Sequence, residues 1–378
     1  MAFVHLHNHT EYSLLDGHTH IYDMVKRAAD LDMPAVAISD HGVMSGVPQL
    51  CEMCDKVEAE TGKRVKPIYG CEVYFTTDEE LRKDTKPKLY HLLLLAKTNE
   101  GYHNLVKLVS ESHVDNFYYK PRTTFSMLQK YGKGIIGSSA CIAGIIPKLL
   151  DNRQVDEAVE WAKKFASCFE PGDFYIELQN QGIRTDAGFT QTELNHMLTD
   201  VAKAAGLKTI ATNDFHYLTR EDARAQDYML CIGTGAAFND ANRMRFENDQ
   251  FYMNARGPQG LPRGLRHHGG SGREGERGAG ARLYPSAFPV ARGRDRGKLL
   301  PQARAGGLGQ ALRQSCSSGG AGARRLRDGH HHPAGLPGVL PHRAGVHRMG
   351  AQPGHRRGPG PRFGRRRHRG VRHGHHRA

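Results

Sequence analysis

At 378 residues, with 53 Lys and Arg against 39 Asp and Glu, the chain carries a formal net charge of +14, and length alone admits two or three domains. The charge is unevenly placed: residues 1–253 hold 27 basic and 35 acidic side chains, a net of −8, whereas residues 254–378 hold 26 and 4, a net of +22. That split excludes reading the whole chain as a basic nucleic-acid binder. Six of the seven cysteines lie irregularly spaced in residues 1–253, and no apolar leader or long apolar run occurs. These features point to a cytoplasmic protein with free or metal-bound thiols rather than a disulfide-stapled or membrane-spanning one.

In chain order, seven short apolar runs read as strands: residues 3–7, 35–39, 67–75, 90–96, 134–139, 174–178 and 209–213. Residues 22–31, 49–61, 102–112, 155–168 and 190–205 between them have helical character. In the last of these Leu194, Met197, Leu198 and Val201 recur at helical spacing, and Gly206 supplies a stop. Such alternation predicts a parallel sheet, and even spacing predicts its closure into a barrel, with reactive residues at the C-terminal ends of the strands.

Ligand-type residues fall at those ends. The first strand runs into His5-Leu6-His7-Asn8-His9, where residues two apart share a face so that His7 and His9 can grip one ion, and Asp16 follows. The second ends in Ser39-Asp40-His41-Gly42, and the third carries Cys71-Glu72. The fifth ends in Ser138-Ser139-Ala140-Cys141, and the seventh runs into Asp214-Phe215-His216. Imidazole, carboxylate and thiolate are ligands for zinc and similar divalent ions, and shared carboxylates can hold two ions close enough to clamp a phosphodiester. Each piece alone is weak, and the convergence of several strand ends carries the expectation of a metal centre. Asp40 reads either as a group orienting a ligand histidine or as a salt-bridge or capping residue. The pair Cys51 and Cys54 lies on a predicted helix with no second pair and reads as packing. His103, His113 and His196 lie on helical segments and receive no role.

From Asn254 onward the vocabulary narrows to Arg, Gly, Ala, Pro and His, with Lys298 the one lysine. No helical or strand period runs through it, and such a segment cannot offset its ordering entropy. It is expected to be a disordered tail, translated out of frame from GC-rich DNA, and no function is taken from it.

The segments 3–17, 39–42, 91–97, 101–108, 117–122 and 211–217 resemble the PHP (polymerase and histidinol phosphatase) family, specifically the N-terminal PHP domain of bacterial DNA polymerase III alpha subunits. The resemblance runs through Met253 and covers about two-thirds of the chain. It implies a distorted (β/α)7 TIM-like barrel over residues 1–253, followed by the 254–378 tail. It also implies nine metal-binding positions: His7, His9, Asp16, His41, Glu72, His91, Cys141, Asp214 and His216. By resemblance one divalent ion, zinc or manganese, takes His7, His9, Glu72 and Asp214. A second shares Glu72 with His91 and Cys141, and a third takes Asp16, His41 and His216. His91 precedes its apolar run, so spacing alone does not bring it to the site. The intact ligand set implies a metal-dependent 3′–5′ exonuclease of the proofreading kind, cutting the terminal phosphodiester of a DNA 3′ end.

Tyr118, Tyr119, Lys120 and Arg122 combine aromatics with cations and suit stacking and phosphate contact with a single-stranded end, or form a solvated loop anchored by Pro121. Nothing in the chain matches the family's polymerase palm, so this polypeptide is not expected to polymerise nucleotides. The alternatives are a stand-alone phosphomonoesterase of the histidinol phosphatase kind, and a non-catalytic scaffold braced by metal that docks other replicase subunits.

Overall fold

The computed structural model describes residues 3–81, 88–258 and 261. The segment 262–378, where most of the expected disordered tail falls, lies outside the described residues. Among the described residues eight strands are present: β1 Ala35–Ile38, β2 Lys66–Phe75, β3 Tyr90–Ala96, β4 Phe117–Tyr118, β5 Lys120–Thr123, β6 Ile135–Ser138, β7 Phe174–Leu178 and β8 Lys208–Ala211. Among the described residues the helices are α1 Ile21–Asp30, α2 Val47–Thr61, α3 Asp78–Leu81, α4 Asn99–Val114, α5 Phe125–Tyr131, α6 Ile145–Asp151, α7 Val155–Ala166, α8 Gln191–Ala205 and α9 Ala223–Thr234.

One curled sheet runs β1-β2-β3-β6-β7-β8, with the β4–β5 hairpin added to the end of β2. Residues 5–9 join its two edges. The amides of Ala37 and Ser39 donate to the carbonyls of His5 and Asn8, at 3.0 and 3.1 Å, and the His9 amide donates to Phe215 O at 2.9 Å. Counting that irregular segment as the first strand, the fold is a distorted seven-stranded α/β barrel. The seven predicted strands are all accounted for, with one correction: β3 is antiparallel to both β2 and β6, so the sheet is mixed rather than parallel.

Side-chain alternation sorts the packing into layers. Leu6, Ala35, Ala37, Ile68, Leu93, Leu95, Ile136, Tyr175 and Ile210 fill the barrel's inside. On the outside, Phe75, Leu92, Leu94, Ile135, Phe174 and Ile176 pack under helices α4 to α8. Ile21, Met24, Val36, Leu50 and Val57 bury the inner faces of α1 and α2. Helix α8 starts with a capping box in which Thr190 and Glu193 exchange side-chain and backbone bonds. It stops at Gly206, which adopts φ 69, as the sequence led one to expect. Four of these helices, α3, α5, α6 and α9, were not anticipated; α3 has only four residues and α5 and α6 seven each, too few for a periodic signal.

Candidate metal centre

The inner face of the barrel is apolar at one end and carries titratable groups at the other. In β2 the period of two puts Glu72 on the same face as Ile68, four residues farther toward the C-terminal end. The antiparallel course of β3 explains His91: its first residues reach the end where the other strands finish, and His91 pairs in register with Tyr74. No bend or ragged strand start is needed.

All nine expected residues meet there. Glu72 lies at the centre. Its Oε1 is 3.1 Å from His7 Nε2, 3.1 Å from His91 Nδ1 and 3.7 Å from Cys141 Sγ. Its Oε2 is 3.3 Å from His9 Nε2 and 2.9 Å from His41 Nδ1. Asp214 Oδ1 lies 3.4 Å from His7 Nε2 and 3.2 Å from His9 Nε2. Asp16 Oδ2 lies 2.9 Å from His41 Nε2 and 3.3 Å from His216 Nε2. Three overlapping groups have ligand atoms within 4.8 Å of one another: His9, Asp16, His41 and His216; His7, His9 and Asp214; and His41, Glu72 and His91.

Hydrogen bonds behind the cluster fix which nitrogen faces inward. His7 Nδ1 donates to Glu177 Oε1 at 2.7 Å. His216 Nδ1 donates to its neighbour carbonyl Asp214 O at 3.0 Å. His9 Nδ1 meets Ser13 Oγ at 3.0 Å, while the Ser13 hydroxyl donates to Asp40 Oδ1 at 2.8 Å. Asp40 therefore acts on His9 through Ser13, and it also accepts from the Thr10 amide and hydroxyl. In each case Nε2 is the nitrogen left facing the centre, where a bound cation would take the place of its proton, the arrangement found behind metal-ligating histidines. Leu15, Ala140 and Asp214 adopt the left-handed region, with φ of 62, 57 and 47. Each such residue costs about 1–3 kcal/mol, and each stands at or directly before a member of the cluster.

The electrostatics are those of a site built for cations. His7 Nε2, His9 Nε2, His41 Nδ1, Glu72 Oε2 and Asp214 Oδ1 are buried without hydrogen-bond partners, although buried polar atoms are rarely left so. Burial opposes charge on His7 and His41, yet the carboxylates around them hold His7 well above its ordinary 6.5 and raise His41 to about 10. Burial likewise opposes ionised Glu72 and Asp16, but the surrounding imidazoles hold both well below the carboxylate range. Burial and the charges of Glu72 and Asp214 push the Cys141 thiol well up, so a cation is what would make it a thiolate. The residues thus fit divalent ions.

Glu177 is the group that sequence reasoning missed. It is 1% exposed and accepts from His7, from Gln179 Nε2 at 2.9 Å, and from the hydroxyls of Ser138 and Thr212. Its signal was a carboxylate inside an otherwise apolar strand, which must find partners when buried. His113, given no role, donates from Nε2 to Gly42 O at 2.8 Å and so braces the turn after His41. Arg122 is buried, with Nε donating to Asn116 O at 2.8 Å. It props the hairpin from within, which removes it from the expected DNA-facing set; Tyr118, Tyr119 and Lys120 are exposed. Cys51 contacts the Tyr69 hydroxyl at 2.9 Å and Cys54 is a buried free thiol.

The PHP domain family matches residues 5–181. The DNA polymerase III subunit alpha of Borreliella burgdorferi is 40% identical over 257 residues, 66% of this chain and 21% of that protein. Those of Treponema pallidum and Helicobacter pylori are 36% and 37% identical over 67% of the chain, and again 21% of each protein. The chain thus spans about a fifth of the length of these relatives. A proposed metal-dependent phosphoesterase from Bifidobacterium adolescentis is a distant structural likeness, 16% identical with a TM-score of 0.34 over 56% of this chain and 87% of that one. Asp214 and His216 lie beyond the family match and within the stretch shared with the polymerase subunits. Residues 5–181 are accordingly a PHP domain, similar in sequence to the N-terminal region of bacterial DNA polymerase III alpha subunits.

Proposed function

We propose that the nine-residue cluster holds up to three divalent ions, zinc or manganese, and hydrolyses the terminal phosphodiester at a DNA 3′ end as a proofreading exonuclease. The observation that carries this reading is Glu72, whose two oxygens lie within 3.7 Å of His7, His9, His41, His91 and Cys141. One carboxylate facing five donors is what a bridging ligand between neighbouring ions requires. When bound, the ions supply Lewis acidity and an activated water at neutral pH.

The chain's own residues do the rest. Glu177, Ser13 and the Asp214 carbonyl hold three imidazoles in the tautomer that leaves Nε2 free. Asp214 faces His7, His9 and His216, and Asp16 faces His41 and His216, which fixes ligand positions before substrate arrives. The same reading makes other replicase subunits the partners, a cytoplasmic location the setting, and polymerisation an activity of regions not matched here. Among the described residues no helix is long and apolar enough to cross a membrane.

The test uses the full chain with manganese or zinc on a primer–template carrying a mismatched, labelled 3′ end, beside a His9→Ala/Asp214→Ala double variant. Metal-dependent shortening that the double variant lacks supports the reading. Intact DNA together with hydrolysis of a small phosphomonoester transfers the assignment to a phosphatase, and loss of neither substrate transfers it to a metal-braced scaffold.

A further inference from the structure

Resting on that reading and going one step further, we propose that Tyr74 and Lys120 form the subsite that takes the phosphate of the substrate's terminal nucleotide. Tyr74 follows Glu72 by two residues in β2 and therefore shares its inner face. It is the only half-buried side chain between Gly70 and Thr76. Its ring stacks on His41 with centroids 5.7 Å apart and planes 20° apart, and meets His91 edge-on at 5.5 Å. The ring therefore borders two of the nine cluster residues, while its hydroxyl makes no hydrogen bond among the described residues.

Lys120 approaches the same ring from the hairpin. Its ammonium lies 5.1 Å from the Tyr74 centroid; it is exposed and forms no ion pair among the described residues. The hairpin is not a free arm. A Cβ on Gly42 would come within 2.8 Å of Pro121 Cγ and 3.3 Å of the Tyr74 ring, and the Thr76 amide donates to Thr123 O at 2.9 Å. Lys120 is thus held at the rim beside the His41–Gly42 turn, with only a ring quadrupole to satisfy its charge. A cation–π contact of this kind positions an ammonium without neutralising it.

An anionic group reaching Asp16, Glu72 and Asp214 enters a field of carboxylates, so a cation and a hydroxyl donor at the mouth select for phosphate. Beyond them Tyr119, at φ 60, holds its ring edge-on to Tyr118 at 4.7 Å, and both rings are exposed. Aromatic faces next to a phosphate-binding cation are the pairing that accepts a nucleobase on its own phosphate. The ligand class is therefore a nucleoside monophosphate unit, free or at the end of a strand.

The test is titration calorimetry of thymidine 5′-monophosphate into the manganese-loaded full chain; the basic segment beyond residue 253 is common to every variant and drops out of the comparison. Lys120→Ala is expected to bind about fivefold more weakly, with a flatter dependence of log Kd on salt because one charge–charge contact is lost. Lys120→Arg should restore binding to within about twofold, and Tyr74→Phe should lose about tenfold, the effect of one hydrogen bond to a charged group. Wild-type affinity in Lys120→Ala or in Tyr74→Phe removes that residue from the subsite, and an absence of binding to the wild type overturns the proposal. The outcome is separable from the nuclease reading: 3′-end shortening with variant-independent nucleotide binding sinks only the subsite. Variant-sensitive binding without shortening sustains the subsite and sinks the nuclease.

Discussion

Replacing Glu177 by Gln isolates what the carboxylate behind His7 contributes. The side chain keeps its volume, and its remaining oxygen can still accept from His7 Nδ1, Thr212 and Gln179, all of which use Oε1. The new amide nitrogen would face Ser138, whose hydroxyl can turn to accept. What is lost is charge. Charge-assisted hydrogen bonds are about twice as strong as neutral ones, and bonds to charged groups contribute about 1.5–3 kcal/mol, so the His7 contact should weaken by roughly 1–1.5 kcal/mol. Loss of a group behind a metal-ligating histidine typically lowers affinity about 10–100-fold, and the retained geometry puts Glu177→Gln near the lower figure. Competition for zinc against a chromophoric chelator measures it, with thermal unfolding as the check that the fold survives. Zinc affinity equal to that of the wild type would refute the argument that Glu177 acts through His7.

Gly101→Ala tests the packing of α4 on the loop before β6. A Cβ there would lie 1.7 Å from Gly134 O, so backbone must move, and the cost of about 2–3 kcal/mol should exceed the gain of roughly 1 kcal/mol in helix propensity; urea unfolding at unchanged slope would record it. The cluster also sets a pH dependence for the protein stripped of metal by chelation. His41, raised from 6.5 to about 10, contributes stability that is present below pH 6.5 and lost as pH rises through 10. Glu72 and Asp16, lowered in the fold, contribute stability that is present above their ordinary values of 4.5 and 3.8 and lost as pH falls through their depressed ones. The chelated protein should therefore melt highest between about pH 4.5 and 6.5. Added zinc should raise the melting point more as pH increases, because its ligands must shed protons. A chelated protein that gains stability from pH 6.5 to 9 would contradict this assignment.

The sequence disclosed residue types and strand ends well, because both depend on local pattern. His7, His9, Glu72 and Asp214 could be placed at the mouth from the period of two and from the end of each apolar run. His91 could not, since strand direction is decided by pairing between segments far apart in the chain, and nothing in the run 90–96 reveals that β3 lies antiparallel to its neighbours. Glu177 was hidden for a related reason: its meaning comes from His7, Ser138, Thr212 and Gln179 converging on it, four residues drawn from three other parts of the barrel and its own strand end. Arg122 illustrates the opposite error. Its charge suggested solvent and phosphate, whereas the hairpin buries it against backbone carbonyls, and only three-dimensional packing separates it from exposed Lys120.

The central claim is that the nine residues form a metal centre, and metal content tests it most directly. Twelve of the 23 histidines lie beyond residue 253, so the informative quantity is a difference between chains that share them. The full wild-type chain and the His9→Ala/Asp214→Ala variant would be equilibrated with zinc, dialysed and analysed by plasma mass spectrometry, with circular dichroism to confirm that both are folded. The account predicts that the wild type retains about one to two ions per chain more than the variant, because His9 and Asp214 belong to two of the three ligand groups and the His41, Glu72 and His91 group keeps all its members. Equal zinc content in two folded chains would contradict it.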